Sequence, residues 1–183
     1  MKIVVAITGS SGVLYGRRAV EELRKKHDVY VIITDAAKKV AEYEKTALPK
    51  SSKNVRVYSE KEMDAPTASG SFGADGMLVI PCSTKTLAAI AHGYSDNLVR
   101  RSADVMLKER KKLVLVLRET PLSTIHIRNM LALSEAGATI LPASPAFYNN
   151  PKSINDMVDF VVGKALDQLG VRHSIYARWK VRE

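Results

Sequence analysis

Apolar residues in this chain come in short unbroken runs, separated by stretches in which they recur every three or four positions. Residues 112–117, Lys-Leu-Val-Leu-Val-Leu, show no alternation and read as a strand buried on both faces. Similar runs at 3–7, 29–33, 77–80 and 138–141 predict four more strands, and 55–58 is a candidate for a short one. Val13, Ala19, Val20 and Leu23 sit at near-helical spacing ahead of a basic turn at Arg24-Lys25-Lys26. Thr34-Asp35 is placed to cap a helix over 36–43, and 87–91 continues as another. Asp96 is expected to cap a helix carrying Leu98, Val99, Ser102, Val105 and Met106 on one stripe. After the strand at 112–117, Thr120 fits an N-cap, Pro121 the first helical position and Gly137 the C-cap. The cleanest helix opens on Ser153 and Asp156, a variant capping box. It runs through Ile154, Met157, Val158, Val161, Ala165, Leu166 and Leu169 and stops at Gly170.

Strands alternating with helices in this order predict right-handed βα units and a parallel sheet. The expected fold is α/β: a single Rossmann-like (flavodoxin-like) domain over residues 1–170, with helices on both faces of the sheet. The tail, 171–183, carries Tyr176 and Trp179 among basic residues and is expected to pack over the site or on a neighbouring subunit. Residues 50–76 are the least regular part, with glycines at 70, 73 and 76. Long irregular stretches inside an α/β domain are more often functional than ornamental.

Composition narrows the function. With 183 residues, 46% hydrophobic and 26% charged, the chain suits one soluble domain. No run approaches the roughly 18 apolar residues that span a membrane. The first strand passes into Thr8-Gly9-Ser10-Ser11-Gly12 without a signal-peptide cleavage pattern, so a cytoplasmic protein with no membrane partner is expected. Cys82 is the only cysteine, and the four histidines lack metal-ligand spacing, so no metal is expected. The net charge of +9 invites a nucleic-acid reading, yet the basic residues are dispersed and no recognition motif accompanies them. A lysine-rich solvated surface, part of it serving phosphorylated ligands, accounts for the excess; no nucleic-acid partner is expected.

Four constellations carry candidate chemistry. Residues 9–16, Gly-Ser-Ser-Gly-Val-Leu-Tyr-Gly, lie between a strand and a helix but match neither the dinucleotide nor the P-loop spacing. Their amides at a helix N-terminus suit an anion; an ordinary tight turn is an equal reading. Cys82-Ser83-Thr84-Lys85-Thr86 makes a second possible phosphate cradle, whereas Cys82 itself reads as a buried small hydrophobe. Arg118-Glu119 lies at the carboxyl end of a central strand, where open α/β sheets bind ligands. Glu119 suits general acid or base work; a plain ion pair between the two is the alternative, and the residues leave both open. Lys108 closes the preceding helix within a charge run, and Tyr148 precedes a helix that carries Lys164 on the border of its apolar stripe.

Together and in order, these segments resemble one family. The matching pieces are residues 8–16, Ala68-Ser69-Gly70-Ser71-Phe72, residues 81–91, Asp96-Asn97-Leu98 and Leu107-Lys108-Glu109-Arg110. Arg118-Glu119-Thr120-Pro121-Leu122, Arg128-Asn129-Met130 and Pro145-Ala146-Phe147-Tyr148 complete the set. The chain resembles the flavin prenyltransferases (UbiX-type), within the homo-oligomeric flavin-containing Cys decarboxylase superfamily. The resemblance implies transfer of a dimethylallyl group from dimethylallyl phosphate to N5 and C6 of reduced FMN, without a metal. The product, prenylated FMN, serves a partner decarboxylase. By position it implies FMN contacts from Ser10, Ser11, Gly12, Thr34, Ser83, Thr84, Lys85, Thr86 and Arg118. It likewise implies that Tyr148 and Lys164 bind the dimethylallyl phosphate, that Glu119, Lys108 and Ser11 are catalytic, and that Trp179 closes over the pocket. Relatives imply a homo-oligomer, often a dodecamer. An FMN-dependent decarboxylase of a cysteine-containing substrate is the nearest rival. Such enzymes use a histidine between the second and third strands, and none lies between His27 and His92 here. A non-catalytic flavin carrier has no need of Lys108, Glu119, Tyr148 and Lys164.

Overall fold

The computed structural model describes residues 1–178, and Trp179 lies outside them. Along the chain run β1 (Lys2–Ile7), α1 (Val13–Leu23), β2 (Asp28–Ile33), α2 (Asp35–Tyr43), β3 (Val55–Ser59) and β4 (Gly76–Cys82). Then come α3 (Thr84–Ala91), α4 (Leu98–Lys108), β5 (Lys112–Leu117), α5 (Thr124–Glu135), β6 (Thr139–Pro142) and α6 (Ile154–Leu169). The stretch between β3 and β4 holds two short 3-10 turns, Pro66–Ala68 and Gly70–Phe72.

Six strands pair in parallel in the order β3-β2-β1-β4-β5-β6. Alternate residues of each central strand face opposite layers, which is why β1, β4 and β5 read as unbroken apolar runs. Ile3, Val5 and Ile7 of β1 join Leu78, Ile80, Val114 and Val116 under α1, α2 and α6. Val4 and Ala6 join Met77, Val79, Leu113, Leu115 and Leu117 under α3, α4 and α5. Gly16 lets α1 close on the sheet: a Cβ there would stand 2.5 Å from the Ile80 carbonyl oxygen and 2.8 Å from the Ile7 side chain.

Three element boundaries differ from the sequence reading. β4 does not stop at Ile80 but continues through a cis Ile80-Pro81 bond to Cys82, with a register irregularity against β5 between Val79 and Cys82. α4 is capped by Asn97, whose Oδ1 accepts from the Arg100 amide at 3.0 Å, because Asp96 instead pairs with the Arg100 guanidinium. The helix after β5 begins at Thr124, so Thr120 is not its cap and Pro121 not its first residue. Ser123 caps it, and the ring of His126 accepts from the Ser123 amide at 3.2 Å, closing a capping box with an unusual fourth residue. The capping box on Ser153 and Asp156 forms as expected, and Gly137 and Gly170 take the left-handed conformation that ends α5 and α6.

Candidate functional site

Strand order reverses direction between β1 and β4, and at such a point the following loops part and leave a crevice. Thr8 ties the two strand ends together. Its hydroxyl donates to the Pro81 carbonyl at 2.8 Å and accepts from the Ser83 amide at 2.9 Å. Ser10 reaches the next strand, its hydroxyl donating to the Arg118 carbonyl at 2.6 Å. Gly9 brings the loop against α2, where a Cβ would lie 2.4 Å from that of Ala36. The resulting cleft, about 280 Å³, is lined by Thr8, Gly9, Ser10, Thr34, Ala36, Glu60, Ser83, Thr84, Lys85, Thr86, Asn97, Arg100 and Glu119.

Two helix N-termini converge on it. Thr34 caps α2 by accepting from the Ala37 amide at 3.0 Å, and Ser83 caps α3 by accepting from the Thr86 amide at 3.3 Å. Among the described residues nothing accepts from the amides of Thr84 and Lys85. The cleft therefore presents free amide donors, two helix dipoles and the hydroxyls of Ser10, Thr34, Ser83 and Thr86, which suits an anionic group. The N-terminus of α1 behaves differently: its anion is the chain's own. The Glu44 carboxylate accepts from the amides of Gly12 and Val13 at 2.6 and 3.0 Å.

Arg118 and Glu119 form no ion pair with each other among the described residues. Arg118 turns towards the β1 loop, donating from Nε to the Ser11 carbonyl at 3.3 Å. Its charge also lies near Tyr15, whose hydroxyl is held above its ordinary pKa by burial, partly offset by Arg118. Glu119 lines the cleft, and among the described residues its Oε1 accepts only from the neighbouring Thr120 amide, at 3.1 Å. Cys82 is fully buried, and burial pushes its thiol up to about 12, so it remains a neutral filler.

Seven residues expected at the site thus meet in one cleft: Ser10, Thr34, Ser83, Thr84, Lys85, Thr86 and Glu119. Ser11, Gly12 and Arg118 lie close to lining residues in the chain, and Arg118 is tied to the Ser11 carbonyl, but none of the three lines the cleft itself. The remaining three also do not line it. Tyr148 and Lys164 belong to the α6 layer, with Tyr148 half exposed and edge-on to Phe160 at 5.9 Å. Lys108 ends α4 on the opposite layer, near the amino end of β5, and pairs with Glu109 at 2.6 Å. One chain does not bring Lys108 to Glu119.

Glu60, Asn97 and Arg100 were not singled out by the sequence. Glu60 accepts from the Asp35 amide at 2.8 Å and from the Asn97 side chain at 2.6 Å, while Arg100 is 6% exposed. A signal did exist for Asn97. In a parallel α/β layer every helix starts at the carboxyl edge, so each N-cap is a candidate lining residue. Among the described residues no three His, Cys, Asp or Glu side chains cluster as a metal site, and no helix is long and apolar enough to cross a membrane.

A flavoprotein family model matches residues 1–166. The curated flavin prenyltransferase UbiX of Methanocaldococcus jannaschii is 48% identical over 181 residues, covering 98% of both chains. Among solved structures, AnUbiX (PadA1) in complex with FMN and dimethylallyl pyrophosphate superposes with a TM-score of 0.91 at 46% identity. That match covers 100% of this chain and 98% of the other. A dodecameric FMN-dependent UbiX-like decarboxylase from Escherichia coli O157:H7 gives 0.90 at 45% identity, covering 99% and 100% of the two chains.

Proposed function

The chain belongs to the UbiX-type flavin prenyltransferases within the flavoprotein family, and we propose how its residues divide the reaction between them. The enzyme transfers a dimethylallyl group from dimethylallyl phosphate to reduced FMN. The convergence of the α2 and α3 N-termini on the β1/β4 crevice carries the assignment of the flavin site. FMN fits this donor set: a phosphate or ribityl chain meets the hydroxyls of Ser10, Thr34, Ser83 and Thr86 and the free amides of Thr84 and Lys85. Ser11, Gly12 and Arg118 adjoin the cleft on the β5 side.

Breaking the allylic C–O bond would leave its electron pair on the phosphate, and flavin N5 would give up its proton as it bonds to the prenyl carbon. Cations stabilise the departing phosphate, and Arg118, Lys164 and Lys108 supply them. Glu119 stands at the cleft with an uncommitted carboxylate oxygen, in place to move the proton that leaves C6 or joins the phosphate. Ser11 completes the catalytic set beside it, and Tyr148 holds the prenyl phosphate with Lys164.

Lys108 and Lys164 sit under opposite faces of the sheet, so a complete site draws on more than one copy of the chain. An apolar surface is available for that assembly: Leu122, Ile125, Ile127 and Leu131 on and before α5 are exposed, as are Phe147 and Ile154. The assembly is a homo-oligomer, with the dodecamer of the Escherichia coli neighbour as its template. The product passes to a decarboxylase that uses prenylated FMN. The test is to incubate the protein with reduced FMN and dimethylallyl phosphate and weigh the flavin. A mass increased by one prenyl unit is expected; an unchanged mass beside a competent control removes the assignment.

A further inference from the structure

The densest polar cluster outside the cleft is gathered on Asp167, in the last turn of α6. Its carboxylate takes a bidentate pair from Arg178, with Nη2 to Oδ1 at 2.6 Å and Nη1 to Oδ2 at 3.1 Å. It also accepts the Tyr176 hydroxyl at 2.8 Å and meets His173 Nε2 at 3.1 Å. Three tail residues therefore share one carboxylate. The His173 side chain is only 1% exposed, so the cluster is built into the packing and is not a loose surface pair. Gly163 makes room for it: a Cβ there would stand 2.3 Å from the Tyr176 ring and 2.8 Å from that of His173. From Tyr176 a chain of edge-on rings leads to Tyr148, with Phe160 at 5.2 Å and Tyr148 a further 5.9 Å on. Lys164 lies on the same helix, between Phe160 and Asp167.

We propose that Asp167 anchors the tail and, through Tyr176 and Phe160, is a positioning residue for Tyr148 in binding the prenyl phosphate. The second half of this statement rests on the reading of Tyr148 given under the proposed function. A carboxylate that collects three partners fixes the direction of the whole segment 171–178, because each partner alone leaves a side chain free to rotate. The fixed Tyr176 ring then limits where Phe160 and Tyr148 can sit. The cleft assigned to FMN is lined by residues of the strand ends and of the α2 and α3 N-termini, and none of the anchor residues is among them.

Trp179 is the only tryptophan of the chain and directly follows Arg178, so quenching of its fluorescence by acrylamide reports the tail in the full-length, flavin-free protein. Asp167→Ala is expected to raise the quenching constant about twofold or more. It is expected to weaken dimethylallyl phosphate binding about tenfold, with FMN affinity within about twofold of wild type. Tyr176→Phe keeps the ring and loses only the hydroxyl, and gives the same pattern at smaller amplitude. Unchanged quenching in Asp167→Ala overturns the anchor. Raised quenching with unchanged dimethylallyl phosphate affinity overturns the positioning role, as does an equal fall in both affinities. A wild-type protein that binds dimethylallyl phosphate without prenylating FMN defeats the proposed activity instead, and quenching and binding still decide the anchor.

Discussion

The crevice between β1 and β4 and the flank of α6 hold their side chains by different means. In the crevice, positions are set by backbone: strand ends buried to the last residue, helix caps, and hydroxyls bonded to carbonyls of neighbouring strands. On the flank, Tyr148 is held at 50% exposure by rings and, three contacts away, by one shared carboxylate. The first arrangement is as rigid as the sheet. The second is only as fixed as its side chains. On the proposed assignment, a flavin is received by the fold as built, whereas the prenyl phosphate draws on the tail and a neighbouring copy.

The largest expected effect separates chemistry from binding within the crevice. Glu119→Gln removes the proposed proton carrier and keeps the shape, so turnover should fall by about 100-fold or more while FMN still binds. Single-turnover prenylation and flavin titration check the two halves, and wild-type turnover would take Glu119 out of the mechanism. Next comes the rigidity of the crevice itself. In Gly16→Ala the new methyl meets the Ile80 carbonyl and Ile7, neither of which can swing away, and a loss of about 1–3 kcal/mol is expected in denaturant unfolding. Because Gly16 packs the helix that follows the flavin loop, FMN affinity should fall with stability. A stable variant with normal FMN binding would show that the crevice is softer than its packing indicates.

The sequence reading fares unevenly across the same divide, for a physical reason. β1, β4 and β5 were legible because strands buried on both faces leave nothing but apolar residues, and Thr34 and Ser153 because caps follow a local rule. Thr120-Pro121 carried the usual helix-start signal, yet the helix waits for Ser123, whose partner is a histidine and not the expected acid. Glu44 and Glu60 were invisible, since what defines them is an amide 31 or 25 residues away along the chain. The identity of Lys108 and Lys164 as site candidates came from motifs in order, which say nothing of location. Only the layers of the fold show that the two lie under opposite faces.

A smaller effect is expected at the cap of α3. Ser83→Ala leaves the Thr86 amide without its acceptor, and loss of such a cap costs about 1 kcal/mol. Its hydroxyl also lines the cleft, so the same change should weaken FMN binding by a few-fold, roughly the worth of one hydrogen bond. Melting temperature and flavin titration on one sample measure both. Loss of FMN affinity without loss of stability would make Ser83 a ligand contact first and a cap second.

The smallest and most discriminating prediction uses pH, because the two regions should respond in opposite directions. Burial raises the Cys82 thiol to about 12 in the folded protein, against about 8.5 in an unfolded chain. Between those values the unfolded state has released a proton that the folded state keeps, so stability contributed at the crevice is intact below about 8.5 and declines as pH rises. At Asp167 burial works against ionisation, but hydrogen bonds from Arg178 and Tyr176, with the charges of Arg178 and His173, outweigh it and hold the carboxyl below its usual value. Its contribution is therefore present above about 4 and is lost as pH falls through the lower folded value. Acid should loosen the tail, read from Trp179 quenching, before the sheet unfolds. Alkali should lower the melting temperature while the tail stays docked. Simultaneous loss of both signals at each extreme would mean that crevice and flank are one cooperative unit, and that the difference in how they are held has no consequence for how they fail.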